Sequence, residues 1–214
     1  MVGRGWKMGI ARSSFLLVSG VSFIAATVYS VASVRAANAD RVLATALAND
    51  RAREAAITSI VAAGNSRVPL LLSWTRKPPS HVVTCGLYTG LADAFGRLRT
   101  KAAIPFLIEN IAMRRSCGAD FAPWLKTPRL IEWNLPAVGA LVQIGPDASR
   151  AVIAAARRGM VQEDNLAAIF VVAQVGGVPE AGVFLRSALG RANMEAYRAE
   201  QGLELLEANR SNGK

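Results

Sequence analysis

Paired basic residues recur along the chain, and together they could bind an anion. Each group stands where a helix is predicted to end. The groups are Arg76-Lys77, Arg114-Arg115, Arg157-Arg158 and, in a fourth region, Arg186 with Arg191. Guanidinium and ammonium groups donate hydrogen bonds to carboxylates and phosphates. Cations also stabilise a helix carboxyl end by about 0.3–1 kcal/mol each. The pattern therefore leaves open a basic binding edge and a set of purely local helix-end effects.

Two cysteines, Cys85 and Cys117, could form a disulfide bond if the protein is exported to an oxidising compartment. The alternative is a pair of buried free thiols, since cysteine is often a small core residue. Two cysteines and one histidine do not supply the four ligands of a structural zinc site. The sequence predicts no metal centre and names this pair as a disulfide candidate.

Residues for acid–base or nucleophilic catalysis are sparse. The chain has one histidine, His81, and it follows Pro78-Pro79-Ser80 in a predicted surface linker. A Ser–His–Asp arrangement would need this histidine as its base. Scattered acids are better explained as helix caps or solvated groups; they are Asp120, Glu132, Asp147 and Asp164. We therefore predict a non-enzyme with no catalytic residue, cofactor or small-molecule substrate.

Composition predicts that the elements that position the residues discussed above are helices. The chain has 214 residues, of which 52% are hydrophobic and 7% aromatic, and its formal net charge is +10. Alanine, leucine, valine and isoleucine dominate, and strand-like alternation is scarce, so an all-α domain is expected. The positive charge permits an acidic partner.

An apolar pattern repeats around four anchor residues, Gly64, Arg99, Gly145 and Gly176. Apolar residues stand four, seven and eight positions before each anchor and seven and eight positions after it. The column at minus four holds Ile60, Phe95, Leu141 and Val172. These spacings put one apolar stripe on a helix before the anchor and another on a helix after it.

The residues at and after each anchor favour a tight turn between two helices. Glycine, present at three of the four anchors, readily takes the left-handed conformation that closes a helix. Prolines follow, where they suit the first turn of the next helix; they are Pro69, Pro105, Pro146 and Pro179. Each unit is therefore predicted as a first helix, a turn and a second helix.

These units resemble the HEAT-repeat family, including its phycobilisome-lyase-like short repeats. The resemblance is carried by the segments 57–74, 92–111, 140–156 (ALVQIGPDASRAVIAAA) and 168–189. It implies a short α-solenoid of about four helix pairs. It implies nothing specific about function, because HEAT repeats serve many tasks. A four-helix bundle or irregular helical domain is the alternative architecture.

Three further segments depart from the repeat or lie at its ends. Residues 116–133 exceed the repeat period and hold Trp124 and Trp133, which we expect to pack over a gap in the stack, the alternative being a functional loop. A helix over 193–208 is expected to cap the last repeat. Residues 40–63 are expected to form a long first helix that is broken near Asn49-Asp50, with Asp50 capping the second piece.

The N-terminus has the three parts of a secretory signal. Basic residues precede an uncharged stretch at 15–34, and Ala37-Asn38-Ala39 suits cleavage before Asp40. The alternatives are an uncleaved membrane anchor formed by residues 15–34 and a buried N-terminal helix. We therefore predict export to the periplasm or medium, or anchoring in a membrane.

The sequence thus predicts a signal peptide or anchor at 1–39, a HEAT-like domain at 40–208 and a disordered tail at 209–214. We expect an extracytoplasmic, non-catalytic scaffold that binds a protein partner, an acidic one if the basic edge is used, or contacts a membrane surface. The alternatives are a basic solenoid that binds nucleic acid or another anionic polymer, which the export signal disfavours, and an enzyme built on the same scaffold.

Overall fold

The protein is described from a computed structural model, which covers residues 34–115, 117, 128–158, 162–177 and 183. Within these residues all regular structure is helical, as expected for an all-α chain. The chain divides into two units, Met1–Leu43 and Ala44–Lys214. In the first unit residues 34–43 are helical, and the helix that we call α1 covers residues 34–48.

The second unit contains eight further helices within the described residues. They are α2 (Asp50–Ala63), α3 (Val68–Arg76), α4 (Thr84–Leu98), α5 (Ile104–Glu109), α6 (Pro128–Asn134), α7 (Pro136–Ile144), α8 (Pro146–Arg157) and α9 (Gln162–Gly176). Short 3-10 turns at Gly64–Arg67 and Lys101–Ala103 join α2 to α3 and α4 to α5. Pro69, Pro105 and Pro146 each lie in the first turn of a helix, as predicted.

Three of the four anchor residues end a helix in the positive-φ conformation. The φ angles are +62° at Gly64, +51° at Arg99 and +87° at Gly145. Arg99 takes the left-handed conformation although it is not glycine, and its backbone N–H bonds to the carbonyls of Gly96 and Phe95. The fourth turn comes one residue later than predicted: α9 includes Gly176, and Gly177 has the positive φ of +85°.

The core is built from the apolar columns before the anchors. Ile60, Phe95, Leu141 and Val172, at minus four, are all buried, and so are the columns at minus seven and minus eight. The helices that carry these columns pack in chain order, α2 against α4, α4 against α7 and α7 against α9. After the anchors, Leu71, Phe106 and Val152 are buried, whereas Val183 is 60% exposed.

Glycines in α4 allow its backbone to approach its neighbours closely. A Cβ atom added at Gly86 or Gly90 would lie 2.5 Å from the carbonyl oxygen of Ala48 or Leu47. At the other end of α4, a Cβ atom at Gly96 would lie 2.8 Å from the Cα atom of Ala140 in α7. These contacts are too short for a side chain, so glycine sets the spacing of three adjacent segments.

The helical stretch Asp50–Arg76 spans 27 residues and is long and apolar enough to cross a membrane. Its middle is the 3-10 turn Gly64–Arg67, where Asn65, Ser66 and Arg67 are exposed. Ile57 and Ile60 before the turn and Leu71 after it are buried in the core. These three residues therefore contribute to packing within the second unit, whereas only 22% of the stretch's apolar 18-residue window is buried.

One sequence prediction about local structure is wrong. Asn49, not Asp50, caps α2, since the Asn49 side chain accepts a hydrogen bond from the Arg51 backbone N–H at 2.9 Å. Asn49 directly precedes the first helical residue, so its side chain can reach the first-turn N–H groups, whereas Asp50 already lies inside the helix. Residues 1–33 of the predicted signal or anchor at 1–39, the predicted capping helix at 193–208 and the predicted tail at 209–214 lie outside the described residues.

Candidate functional site

The ends of the helix pairs form two groups of residues. We call residues 64–67, 99–103 and 145–147, which turn the chain within a pair, the turn group. We call residues 76–83, 110–117 and 157–158, which leave one pair for the next, the connection group. Lys101 and Asp147 form an ion pair that joins the second turn to the third. The cations singled out from the sequence within the described residues belong to the connection group.

Arg76 and Lys77 end α3. Arg76 lies in the last turn and Lys77 is the C-cap residue, and both are exposed. The Tyr88 hydroxyl donates a hydrogen bond to the Thr75 carbonyl at 3.2 Å, which holds this end of α3 against α4. Tyr88 also packs edge-on against Phe106 in α5. Both cations are therefore held on an ordered helix end rather than on a free linker.

Arg157 and Arg158 end α8 in the same way. Arg157 lies in the last turn, Arg158 is the C-cap residue, and both are exposed. Their positions satisfy the helix-dipole explanation, because a cation at a carboxyl end is stabilising without any ligand. Arg158 is exposed at this end, so its guanidinium group is also accessible to an anionic partner.

The prediction that Arg114 and Arg115 end the second helix of a pair is wrong, because α5 ends at Glu109. The Asn110 side chain donates to the Phe106 carbonyl at 2.8 Å, and the Met113 N–H bonds to the Asn110 carbonyl, so the chain turns there. Arg115 is half-buried and bonded to Asp93 in α4 at 2.8 and 2.9 Å. Arg115 therefore holds the fold together and differs from the exposed cations of α3 and α8.

Trp133 does not pack down over a gap as predicted. It lies in α6 and is 60% exposed. The Arg115 guanidinium lies over its ring at 5.5 Å, and Arg115 Nε donates to the Trp133 carbonyl at 2.7 Å. Because a guanidinium covers one ring face, the indole is held in place without complete burial. Trp124 lies outside the described residues.

The structure joins Cys85 and Cys117 by a disulfide bond, with their Cα atoms 5.8 Å apart. Cys85 lies in the first turn of α4 and is half-buried, whereas Cys117 is exposed at a positive φ of 52°. The bond ties the connection between the second and third pairs to the start of α4. It lies close to the contacts of Arg115.

Several ion pairs in this unit were not anticipated from the sequence. Arg97 in α4 forms two 2.7 Å hydrogen bonds to Glu54 in α2, and these lower the pKa of Glu54. The hydrogen bond from Lys101 likewise lowers the pKa of Asp147. Burial raises the pKa of the Glu132 carboxyl, beside Trp133. A usable sequence signal existed for Asp93, which is the single acid within the largely apolar helix α4.

His81 is exposed in the linker between α3 and α4. Asp147 lies in the first turn of α8, as expected for a helix-start acid. Arg186 and Arg191 lie outside the described residues. Among the described residues no group of three or more histidine, cysteine or acidic side chains could hold a metal ion.

Comparisons with protein-family models, with curated proteins and with solved structures found no match for this chain.

Proposed function

We propose that the protein is a non-catalytic, extracytoplasmic scaffold of HEAT-like helix pairs that binds an acidic protein partner. The observation that carries the proposal is the packing order of the first helices of the pairs. α2, α4, α7 and α9 contact one another in sequence, and each is followed by a positive-φ turn. Stacking of each unit on its neighbour in the chain is the defining property of a solenoid. Solenoids commonly serve as extended binding surfaces.

Exposed cations support the choice of an acidic partner. Arg76, Lys77, Arg157 and Arg158 end the second helices of the first and third pairs and are exposed. The whole chain has 25 lysines and arginines against 15 acids. Such an excess attracts anionic surfaces and raises the rate of encounter with them. Arg115 is left out of this surface because Asp93 already neutralises it.

Two matched charge reversals test the binding surface. Arg158 and Arg99 are both exposed C-cap residues, of α8 and α4, but Arg158 belongs to the connection group and Arg99 to the turn group. Arg158→Glu and Arg99→Glu therefore carry the same charge change and a similar helix-dipole penalty. We expect Arg158→Glu to lower crosslinking to the partner from the host envelope several-fold, while Arg99→Glu leaves it near the wild-type level.

The readout is the amount of crosslinked partner, quantified by mass spectrometry after capture of the full chain. Thermal melting of both variants checks that each is folded. Equal capture by the two variants would contradict the basic-surface proposal. Capture that disappears after nuclease treatment would instead identify a nucleic acid as the occupant.

Export or anchoring is part of the same proposal, supported by the sequence pattern of residues 1–39. Residues 34–48 are helical, so cleavage before Asp40 would leave residues 40–48 as the helix that precedes α2. We expect N-terminal sequencing of the envelope fraction to find Asp40 as the first residue. A start at Met1 or Val2 would instead indicate a retained anchor.

A further inference from the structure

The disulfide bond between Cys85 and Cys117 is asymmetric in its surroundings. Cys117 is exposed, whereas Cys85 is half-buried in the first turn of the 15-residue helix α4. The two residues are 32 positions apart, and the loop between them contains α4, the second turn and α5. An attacking thiolate in solution therefore has better access to the Cys117 sulfur than to the Cys85 sulfur.

The start of α4 favours a negative charge on Cys85. The N-cap residue, Val83, has no side-chain acceptor for the first-turn N–H groups, and no acid lies in that turn. Unpaired N–H groups and the helix dipole both stabilise a thiolate at this position. When the sulfur–sulfur bond breaks, Cys85 is thus the better leaving group of the two.

Charged groups near the first turn of α4 include some that favour a negative charge on Cys85 and some that oppose it. From α2, Arg53 is buried and its Nη2 atom lies 3.5 Å from the Gly86 carbonyl oxygen, next to Cys85. Asp50 pairs with Arg53 at 2.7 Å and offsets part of its charge. The Arg114 carbonyl oxygen lies 3.8 Å from the Cys85 sulfur. Arg115 lies on the same segment as Arg114, and its charge is balanced by Asp93, two turns further along α4.

We propose that this disulfide is a thiol–disulfide exchange site for small thiols. The sulfur of an external thiolate attacks Cys117 Sγ and forms a mixed disulfide with it. The bond between Cys117 and Cys85 breaks, and its electron pair leaves with Cys85 as a thiolate. A second external thiolate then attacks the small-thiol sulfur of the mixed disulfide. This step releases Cys117 as a thiolate and forms the oxidised dimer of the small thiol.

Non-covalent contacts hold the connection once the disulfide is open. The Arg115 side chain is bonded twice to Asp93 in α4 and once to the Trp133 carbonyl in α6. The Arg115 backbone N–H bonds to the Asn134 carbonyl at 2.9 Å. Reduction therefore releases Cys117 from α4 while Arg115 keeps the connection attached, so exchange does not require unfolding of the domain.

The first test maps the site of attack. The folded, oxidised full chain is incubated with millimolar reduced glutathione, quenched in acid and analysed by peptide mass spectrometry. We expect glutathione on Cys117 and a free thiol at Cys85, with the helical circular dichroism unchanged. Glutathione on Cys85, or no exchange until denaturant is added, would overturn the proposal and leave a purely structural bond.

The second test measures thiolate character without any variant. In the reduced wild-type protein, the rate of iodoacetamide alkylation at each cysteine is followed across pH. We expect the midpoint for Cys85 to lie below the ordinary thiol value of about 8.5, and that for Cys117 to lie close to it. Coinciding midpoints, or loss of helix on reduction, would overturn the proposal. Cys117→Ser and Cys85→Ser provide single-thiol checks of the two assignments.

Discussion

The guanidinium of Arg115 is bonded to the carboxylate of Asp93 by two hydrogen bonds of 2.8 and 2.9 Å. The Arg115 side chain is 19% exposed and the Asp93 side chain 22%, so the pair is mostly removed from water. The planar guanidinium suits this two-point contact, which an ammonium group cannot reproduce. The pair thereby fixes the connection between the second and third helix pairs to the middle of α4.

Replacing this arginine should destabilise the domain. We expect Arg115→Met to lower the free energy of unfolding by about 1–3 kcal/mol, because it leaves the Asp93 carboxylate partly buried without its partner. Arg158→Met, at an exposed arginine, is the control and should change it by no more than about 0.5 kcal/mol. Urea denaturation measures both variants. Equal effects would show that the Asp93 pair contributes nothing particular to stability.

Gly90 should tolerate no side chain. A Cβ atom there would lie 2.5 Å from the carbonyl oxygen of Leu47 and 3.0 Å from its carbonyl carbon, both backbone atoms. Gly90→Ala must push α4 away from residues 44–48, so we expect a loss of about 1–3 kcal/mol in the free energy of unfolding.

An exposed position provides the contrast for this substitution. Ala55→Leu adds more volume than Gly90→Ala, but at an exposed site in α2, and should leave stability within about 0.5 kcal/mol of wild type. Thermal or urea unfolding of the two variants decides the point. A Gly90→Ala variant as stable as wild type would mean that the two segments are not packed at this distance.

The ion pair between Lys101 and Asp147 should make stability depend on pH. Its hydrogen bond lowers the pKa of Asp147 in the folded protein, below the value of about 3.9 expected for the unfolded chain. The stabilisation is therefore fully present above that unfolded pKa and is lost as the pH falls through the folded pKa. Lys101→Met should thus be less stable than wild type at neutral pH, and the difference should vanish in strong acid.

The matched control for this prediction is Lys77→Met, which removes an exposed lysine of the connection group. Urea unfolding of the three proteins is measured at neutral pH and again below the folded pKa of Asp147. A Lys101→Met deficit that persists unchanged in acid would exclude Asp147 as its cause.

The helix pairs could be predicted from the sequence because their signals are local. The apolar spacing before Gly64, Arg99 and Gly145 identified buried columns, and the turns follow from backbone conformations that these positions take. The end of α5 was missed, although the Asn110 side chain that bonds to the Phe106 carbonyl there is a local signal that can end a helix. Periodicity continued past that point and carried the predicted helix on to Arg114 and Arg115.

The candidate site was only partly predictable for a related reason. Basic residues at helix ends can be read from spacing, as for Arg157 and Arg158. Whether a cation is already neutralised depends on residues distant in the chain, as for Arg115 and Asp93, 22 positions apart. The exposure of Trp133 depends on the same pairing, since Arg115 supplies the contact that a core would otherwise give.

Thr89 offers a substitution that should raise stability. It lies in α4, it is fully buried, and its hydroxyl oxygen has no hydrogen-bond partner among the described residues. A buried hydroxyl left unpaired costs about 1–3 kcal/mol relative to a satisfied one. Thr89→Val keeps the branched shape and removes the hydroxyl, so we expect the free energy of unfolding to rise by about 1 kcal/mol.

Thr58 is the matched control for this substitution. It is an exposed threonine in α2 whose hydroxyl donates to the Glu54 carbonyl at 2.9 Å. Thr58→Val removes a formed hydrogen bond at a solvated site, so no gain in stability is expected there. Urea unfolding of both variants compares them directly. If Thr89→Val is less stable than wild type, the Thr89 hydroxyl must be bonded in the folded protein, and the packing of α4 around it would need revision.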